Sequence, residues 1–137
     1  MSNTQILSNA DINQESLEEV FENAGYKVEK HDERLVITHE GTVASVYFRA
    51  DVLSIFTSYR VKPGVDISEF KDKILELNSA HSISNSTLNQ SRNALVITMS
   101  YLTSVGIYIP HFIFTINAYF AFQKINFKKI DCSEFIE

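Results

Sequence analysis

Residues 93–123 read NALVITMSYLTSVGIYIPHFIFTINAYFAFQ, 31 consecutive residues without an aspartate, glutamate, lysine or arginine. A stretch this long without charge is expected to be buried in a core or an interface. A membrane-spanning helix would need about 20 mostly apolar residues in one helical run. Polar residues, a glycine and a proline interrupt this one: Ser104, Gly106, Pro110, His111 and Asn117. We therefore expect a strand followed by a helix, and no membrane span.

The last helix is predicted from Pro110 to about Lys129, because proline is favoured in the first turn of a helix. At 100° per residue its apolar residues form two stripes instead of one. The first stripe contains Phe112, Ile113, Ile116, Tyr119, Phe120 and Phe127. The second contains Phe114, Ala118, Ala121, Phe122 and Ile125. One stripe packs against one neighbour, so the second stripe predicts a second packing partner.

The first helix is predicted over residues 14–24, where leucine, valine and phenylalanine recur at helical spacing between glutamates. Asn13 is the expected N-cap, and Gly25 supplies the left-handed end. The second helix is expected to begin after Asp66, its N-cap, and to end near Asn78.

Two β-hairpins are predicted between these helices. Their strands cover residues 26–31, 35–40, 43–49 and 52–61. In the second hairpin Ala44, Val46, Phe48, Leu53, Ile55 and Thr57 share the expected core face. The other face carries Val43, Tyr47, Val52 and Phe56 among serines, whereas a solvated face would be more polar. We therefore expect a partner to cover Tyr47 and Phe56.

The segment between the second helix and the last strand is polar: eleven of the sixteen residues 78–93 are serine, threonine, asparagine or glutamine. It predicts a loop or a weak edge strand near residues 84–88. Residues 94–102 predict a buried strand because they are apolar and rich in β-branched side chains.

Length and charge limit the class of protein. The 137 residues correspond to one domain, 1–137, and the formal charge of −5 argues against a nucleic-acid partner. Residues 1–10 have neither a basic start nor an apolar core, so a cytoplasmic protein is expected. The single cysteine, Cys132, has no partner for an internal disulfide and is expected to be incidental.

No residue pattern indicates an enzyme, a cofactor or a metal site. His31 and His39 are expected at opposite ends of one hairpin, too far apart to share a metal. His81 lies in the polar segment and is expected to be solvated. His111 is expected to be the buried histidine, because it lies at a helix start within the uncharged stretch.

The chain resembles the YbjN family, bacterial proteins described as sensory-transduction regulators. The resemblance rests on the first helix closing in Asn23-Ala24-Gly25-Tyr26, on Leu75-Glu76-Leu77-Asn78, and on the long C-terminal helix. It implies an α+β fold like that of type III secretion chaperones, an antiparallel sheet flanked by helices in the order α-β-β-β(β)-α-β-β-α. It also implies homodimerisation and binding without catalysis. The apolar last helix departs from the family, because a charged outer face is usual there.

The leading hypothesis is a non-enzymatic, homodimeric protein-binding module, chaperone-like or regulatory. Its expected contact residues are Phe114, Ala118, Ala121, Phe122, Ile125, Tyr47 and Phe56. The second stripe serves either self-association or a client protein, and a client could instead add a strand to a sheet edge.

Two alternatives remain open. One is an enzyme or small-ligand receptor with a pocket between the sheet and the last helix, lined by Tyr101, Tyr108 and His111. The other is an immunity-type inhibitor, because residues 1–40 carry nine acids against three bases. A solvated amphipathic first helix also explains that charge.

Overall fold

The computed structural model describes residues 5–80 and 83–137, which form eight strands, three α-helices and one 3-10 turn at Asn9–Asp11. The strands are β1 (Ile6–Leu7), β2 (Lys27–Lys30), β3 (Leu35–His39), β4 (Thr42–Arg49), β5 (Val52–Arg60), β6 (Asn85–Asn89), β7 (Ala94–Leu102) and β8 (Ile107–Tyr108). The helices are α1 (Gln14–Asn23), α2 (Ile67–Ser79) and α3 (Ile109–Lys129). The fold is α+β, as the sequence predicts, and the predicted helices and hairpins are confirmed to within about two residues at their ends.

Six strands form one antiparallel sheet in the order β2-β3-β4-β5-β7-β6. The register pairs Val46 with Ile55 and Ile55 with Met99, so these side chains share one face. The predicted weak edge strand is real: β6 pairs with β7 and forms one edge of the sheet. Strands β1 and β8 form a separate two-stranded ribbon that no sequence pattern predicts.

All three helices cover the same face of the sheet. The main core contains buried residues of α1 and α3 together with the inner face of the sheet, and a second core packs α2 against Leu95 of β7. Within the described chain, no helix covers the opposite face. We call this opposite side the outer sheet face, and it includes Tyr47 and Phe56.

Local signals explain why α1 begins and ends where it does. The Asn13 side chain accepts a hydrogen bond from the main-chain nitrogen of Ser16 at 2.9 Å, and the Ser16 hydroxyl accepts one from the nitrogen of Asn13 at 3.0 Å. This capping box satisfies helix amides that would otherwise lack partners. Gly25 then adopts the predicted left-handed conformation, with φ of 92°.

The segment after α3 lies beside the C-terminal end of β5. Ile136 forms a β-bridge with Val61, and the ring of Phe135 stacks on Phe70 of α2 at 5.0 Å between centroids. Cys132 is buried in this second core. The C-terminal residues are therefore part of the packed structure, although no element is predicted for them from the sequence.

Candidate functional site

A buried chain of hydrogen bonds sets the rotation of α3 on the sheet. Tyr59 of β5 donates to Oε1 of Gln123 at 2.7 Å, and Nε2 of Gln123 donates to the hydroxyl of Thr57 at 3.4 Å. The Tyr119 hydroxyl lies 2.9 Å from Thr57 and donates to the main-chain oxygen of Ile97 at 2.7 Å. Because the single Tyr119 proton is directed at Ile97, Thr57 donates to Tyr119. The first stripe of α3 is thereby held against β5 and β7.

Two polar contacts fix the flank of α3 that faces the first half of the chain. The Tyr26 hydroxyl donates to the side-chain oxygen of Asn117, and the Lys124 ammonium pairs with the Glu40 carboxylate. The hydrogen bond from Lys124 lowers the pKa of Glu40, and burial raises the pKa of Tyr26 to about 12. The helix therefore cannot rotate without breaking contacts on both its buried side and this flank.

This orientation directs the second apolar stripe away from the protein core. Phe114 is 71% exposed and Ile125 is 43% exposed. Ala121 is exposed as well, whereas Ala118 and Phe122 are half-buried. We call Phe114, Ala118, Ala121 and Ile125 the outer stripe. No other part of the described chain buries the large side chains of the outer stripe. An exposed apolar stripe of this kind is what a binding surface on α3 would require.

A hollow of about 580 Å³ opens beside the C-terminal half of the outer stripe. Its lining residues are Ala24, His39, Glu40, Asn117, Phe120, Ala121, Lys124 and Ile125. Two of the lining residues, His39 and Phe120, carry rings 5.3 Å apart, so part of the lining is aromatic. The Lys124–Glu40 pair stands at the rim. The hollow can therefore accept an apolar side chain from a partner.

His39, Glu40 and Lys124 are not among the site residues predicted from the sequence. They come together only because the β3–β4 turn lies beside α3, a long-range contact that local patterns do not reveal. One sequence pattern does indicate a polar flank of α3. Asn117 and Lys124 are seven residues apart, about two helical turns, so they lie on the same side of the helix and interrupt its apolar surface there.

The outer sheet face forms a second apolar surface. Tyr47 and Phe56 stack with their centroids 5.3 Å apart and an interplanar angle of 11°. Both side chains are half-buried although no helix of the described chain covers them, and Val43 on the same face is exposed. The two predicted contact residues of this face therefore lie together, on the side of the sheet opposite α3.

Both edges of the sheet are protected against strand addition. The Asn78 side chain accepts a hydrogen bond from the main-chain nitrogen of Ser86 at 2.7 Å and donates to its oxygen at 2.9 Å, so it occupies the free edge of β6. The other edge, β2, carries Lys27, Glu29 and Lys30. Charged side chains and blocked amides discourage a new strand. These features favour the faces over the edges as binding surfaces.

The structure corrects the expectation that His111 is buried: its side chain is exposed, because it lies one turn before Phe114 on the same side of α3. The Tyr101 hydroxyl is 3.4 Å from Nδ1 of His111, and Tyr108 is exposed. Phe112 fills the space beneath, with its ring 5.1 Å from that of Tyr101. Of the three residues of the alternative pocket, Tyr101 therefore packs against a buried core residue, and Tyr108 and His111 are exposed.

The remaining candidate groups lie apart from the outer stripe. Among residues 5–80 and 83–137, no group of three or more histidine, cysteine, aspartate or glutamate side chains is placed to hold a metal ion. Burial raises the pKa of the Cys132 thiol.

His81 lies outside the described residues. No helix in the described part of the chain has the length and apolar character needed to cross a bilayer.

Comparison with known proteins reveals a shared fold. The sequence matches no protein-family model, and no curated protein is similar to it by sequence search. The structure is similar to that of E. coli YbjN, titled "a putative transcription regulator", with a TM-score of 0.77, 12% identity, and coverage of 92% of this chain and 96% of YbjN. An uncharacterized protein from Methanothermobacter thermautotrophicus aligns with a TM-score of 0.59 and 14% identity, covering 87% of this chain and 96% of its own. The chain therefore has a YbjN-like fold, which confirms that part of the resemblance.

Proposed function

We propose that this chain is a non-enzymatic protein-binding module, regulatory or chaperone-like, that acts as a homodimer. The observation that carries the proposal is the outer stripe, where Phe114 and Ile125 are exposed on a helix whose rotation is fixed by buried hydrogen bonds. A rigid, exposed apolar face of this kind is typical of interaction sites.

The energy for binding comes from removing this apolar surface from water. A phenylalanine side chain buries on the order of 150–250 Å² when fully covered. At roughly 25 cal/mol per Å², covering Phe114 in two copies supplies several kcal/mol toward association. Phe114 is therefore the residue at which a substitution should weaken binding most.

The whole-chain similarity to YbjN supports a regulatory or binding role over catalysis. The charge of this chain indicates how regulation would act. At −5, with the outer stripe uncharged, the protein has no positive field to attract a nucleic-acid backbone. A regulatory role would therefore operate through contacts with proteins.

Sedimentation analysis tests the proposal. Wild type is expected to sediment as a dimer at micromolar concentration, and Phe114→Asp as a monomer with an unchanged circular dichroism spectrum. The matched control is Val105→Asp, which places the same charge at a residue that is 95% exposed in the turn before β8 and leaves the outer stripe intact. A wild type that remains monomeric, or a Phe114→Asp variant as dimeric as the control, would contradict the proposed use of α3.

The outer sheet face is proposed as a second contact surface, because the half-buried Tyr47 and Phe56 rings stack on it and no helix of the described chain covers them. Phe56→Asp is expected to weaken association if this face takes part in the dimer. Ser58→Asp, two residues along the same strand and on the same face, is the control. Two variants that both dimerise as tightly as wild type would restrict self-association to α3.

A further inference from the structure

We propose that two copies of the chain pair their α3 helices antiparallel, with Phe114 of each copy packed against Ile125 and the adjoining hollow of the other. This inference rests on the proposed homodimer and specifies its geometry. The partner is a second copy of this chain, because the outer stripe has the spacing and the charge pattern that pairing with itself requires.

The first argument is the spacing of the outer stripe. Its four residues fall within about 60° of one another around the helix, so they form one narrow face. A two-fold axis that passes α3 midway between residues 119 and 120 exchanges Phe114 with Ile125 and Ala118 with Ala121. The order along the helix, large-small-small-large, is then the same from both ends. Such self-complementarity is what a two-fold interface demands.

The second argument is the position of the hollow. Phe114 and Ile125 are eleven residues apart, about 16 Å along the helix axis. In the antiparallel pairing the ring of Phe114 arrives at Ile125 and Ala121 of the other copy, where the 580 Å³ hollow opens. The ring of Phe114, the most exposed ring of α3, therefore enters the hollow of the other copy. The two-fold symmetry produces this contact twice in each dimer.

The third argument is charge, which decides between antiparallel and parallel pairing. The helix carries no aspartate, glutamate, lysine or arginine before Lys124, and Lys124 is paired with Glu40. Lys128 lies on the line of the outer stripe. Parallel pairing would place Lys128 against the same lysine of the other copy, whereas antiparallel pairing places it near the other copy's His111. Antiparallel helix dipoles also attract each other.

A charge-complementation experiment tests the geometry. Two variants, Phe114→Asp and Ile125→Lys, are measured separately and as an equimolar mixture by sedimentation and native mass spectrometry. Each variant alone is expected to raise the dimer dissociation constant at least about tenfold, because a charge replaces an apolar contact twice. The mixture is expected to form a one-to-one heterodimer, which contains one intact Phe114–Ile125 contact and one ion pair between the introduced side chains.

The control mixture combines Phe114→Asp with Val105→Lys, whose new charge lies in the turn before β8. Its mixed dimer would keep one Phe114–Ile125 contact but gain no ion pair, so it is expected to form less heterodimer than the test mixture. Both sites in the test pair are exposed, so circular dichroism should show an intact fold. Two monomeric variants whose mixture also stays monomeric would overturn the antiparallel pairing but leave α3 as the binding surface. Variants that dimerise like wild type would overturn the use of α3 altogether. A monomeric wild type would overturn the homodimer itself.

Discussion

The hydroxyl of Tyr119 donates a hydrogen bond to the main-chain oxygen of Ile97 across 2.7 Å, and both residues are buried. The bond joins the centre of α3 to β7. Each residue step turns a helix by 100°, so a shift of one residue in this contact would bring a different stripe to the sheet. The direction of the outer stripe therefore depends on a polar contact at the opposite side of the helix.

Tyr119→Phe is expected to lower the free energy of unfolding by about 1–3 kcal/mol, because the Ile97 oxygen and the Thr57 hydroxyl lose a buried partner. Urea denaturation followed by circular dichroism measures the loss. Tyr108→Phe removes the same atom from a side chain that is exposed, and it should change stability by less than about 0.5 kcal/mol. Equal effects of the two variants would mean that the buried network contributes little.

Asn78→Ala is expected to destabilise the protein by about 1–3 kcal/mol, since it leaves the main-chain nitrogen and oxygen of the buried Ser86 without their partner. It also opens the edge of β6, so light scattering should reveal more aggregation on heating. Asn23→Ala, at the exposed end of α1, is the control for loss of an asparagine side chain. An Asn78→Ala variant as stable and as soluble as this control would refute edge protection by Asn78.

The helices and hairpins could be predicted because their signals are local. The two stripes of α3 follow from its own 3.6-residue period, and the strand at residues 94–102 follows from its β-branched composition. Even the weak edge strand β6 is visible as a polar segment between stronger elements. The direction of the second stripe toward solvent also follows, because one sheet can bury only one side of a helix.

The polar network and the hollow could not be predicted, because they join residues far apart in sequence. Tyr119 meets Thr57 and Lys124 meets Glu40 only once the register of α3 on the sheet is known. The error on His111 has a different cause. The uncharged composition of the stretch predicts its burial, whereas its helical position, one turn from Phe114, indicates the outer side of α3.

Phe135→Ala is expected to cost about 3–5 kcal/mol of stability, because it removes a buried ring stacked on Phe70 and leaves a cavity under α2. Guanidinium denaturation measures the change. Glu134→Ala, the exposed neighbour, should alter stability by no more than about 0.5 kcal/mol. If Phe135→Ala proved equally mild, the C-terminal segment would not be an integral part of the second core.

Alkaline pH should destabilise the protein through its buried tyrosines. Burial raises the pKa of Tyr26 from 10.0 to about 12, and it raises the pKa of Tyr119 and Tyr59 as well. The native state favours the protonated phenol, so this contribution to stability is complete below pH 10 and is lost as the pH rises toward 12. For Tyr26 the expected loss is about 1.4 kcal/mol per pH unit within that window. Urea denaturation at several pH values should show a shallower decline for Tyr26→Phe than for wild type, and parallel declines would contradict the assignment to Tyr26.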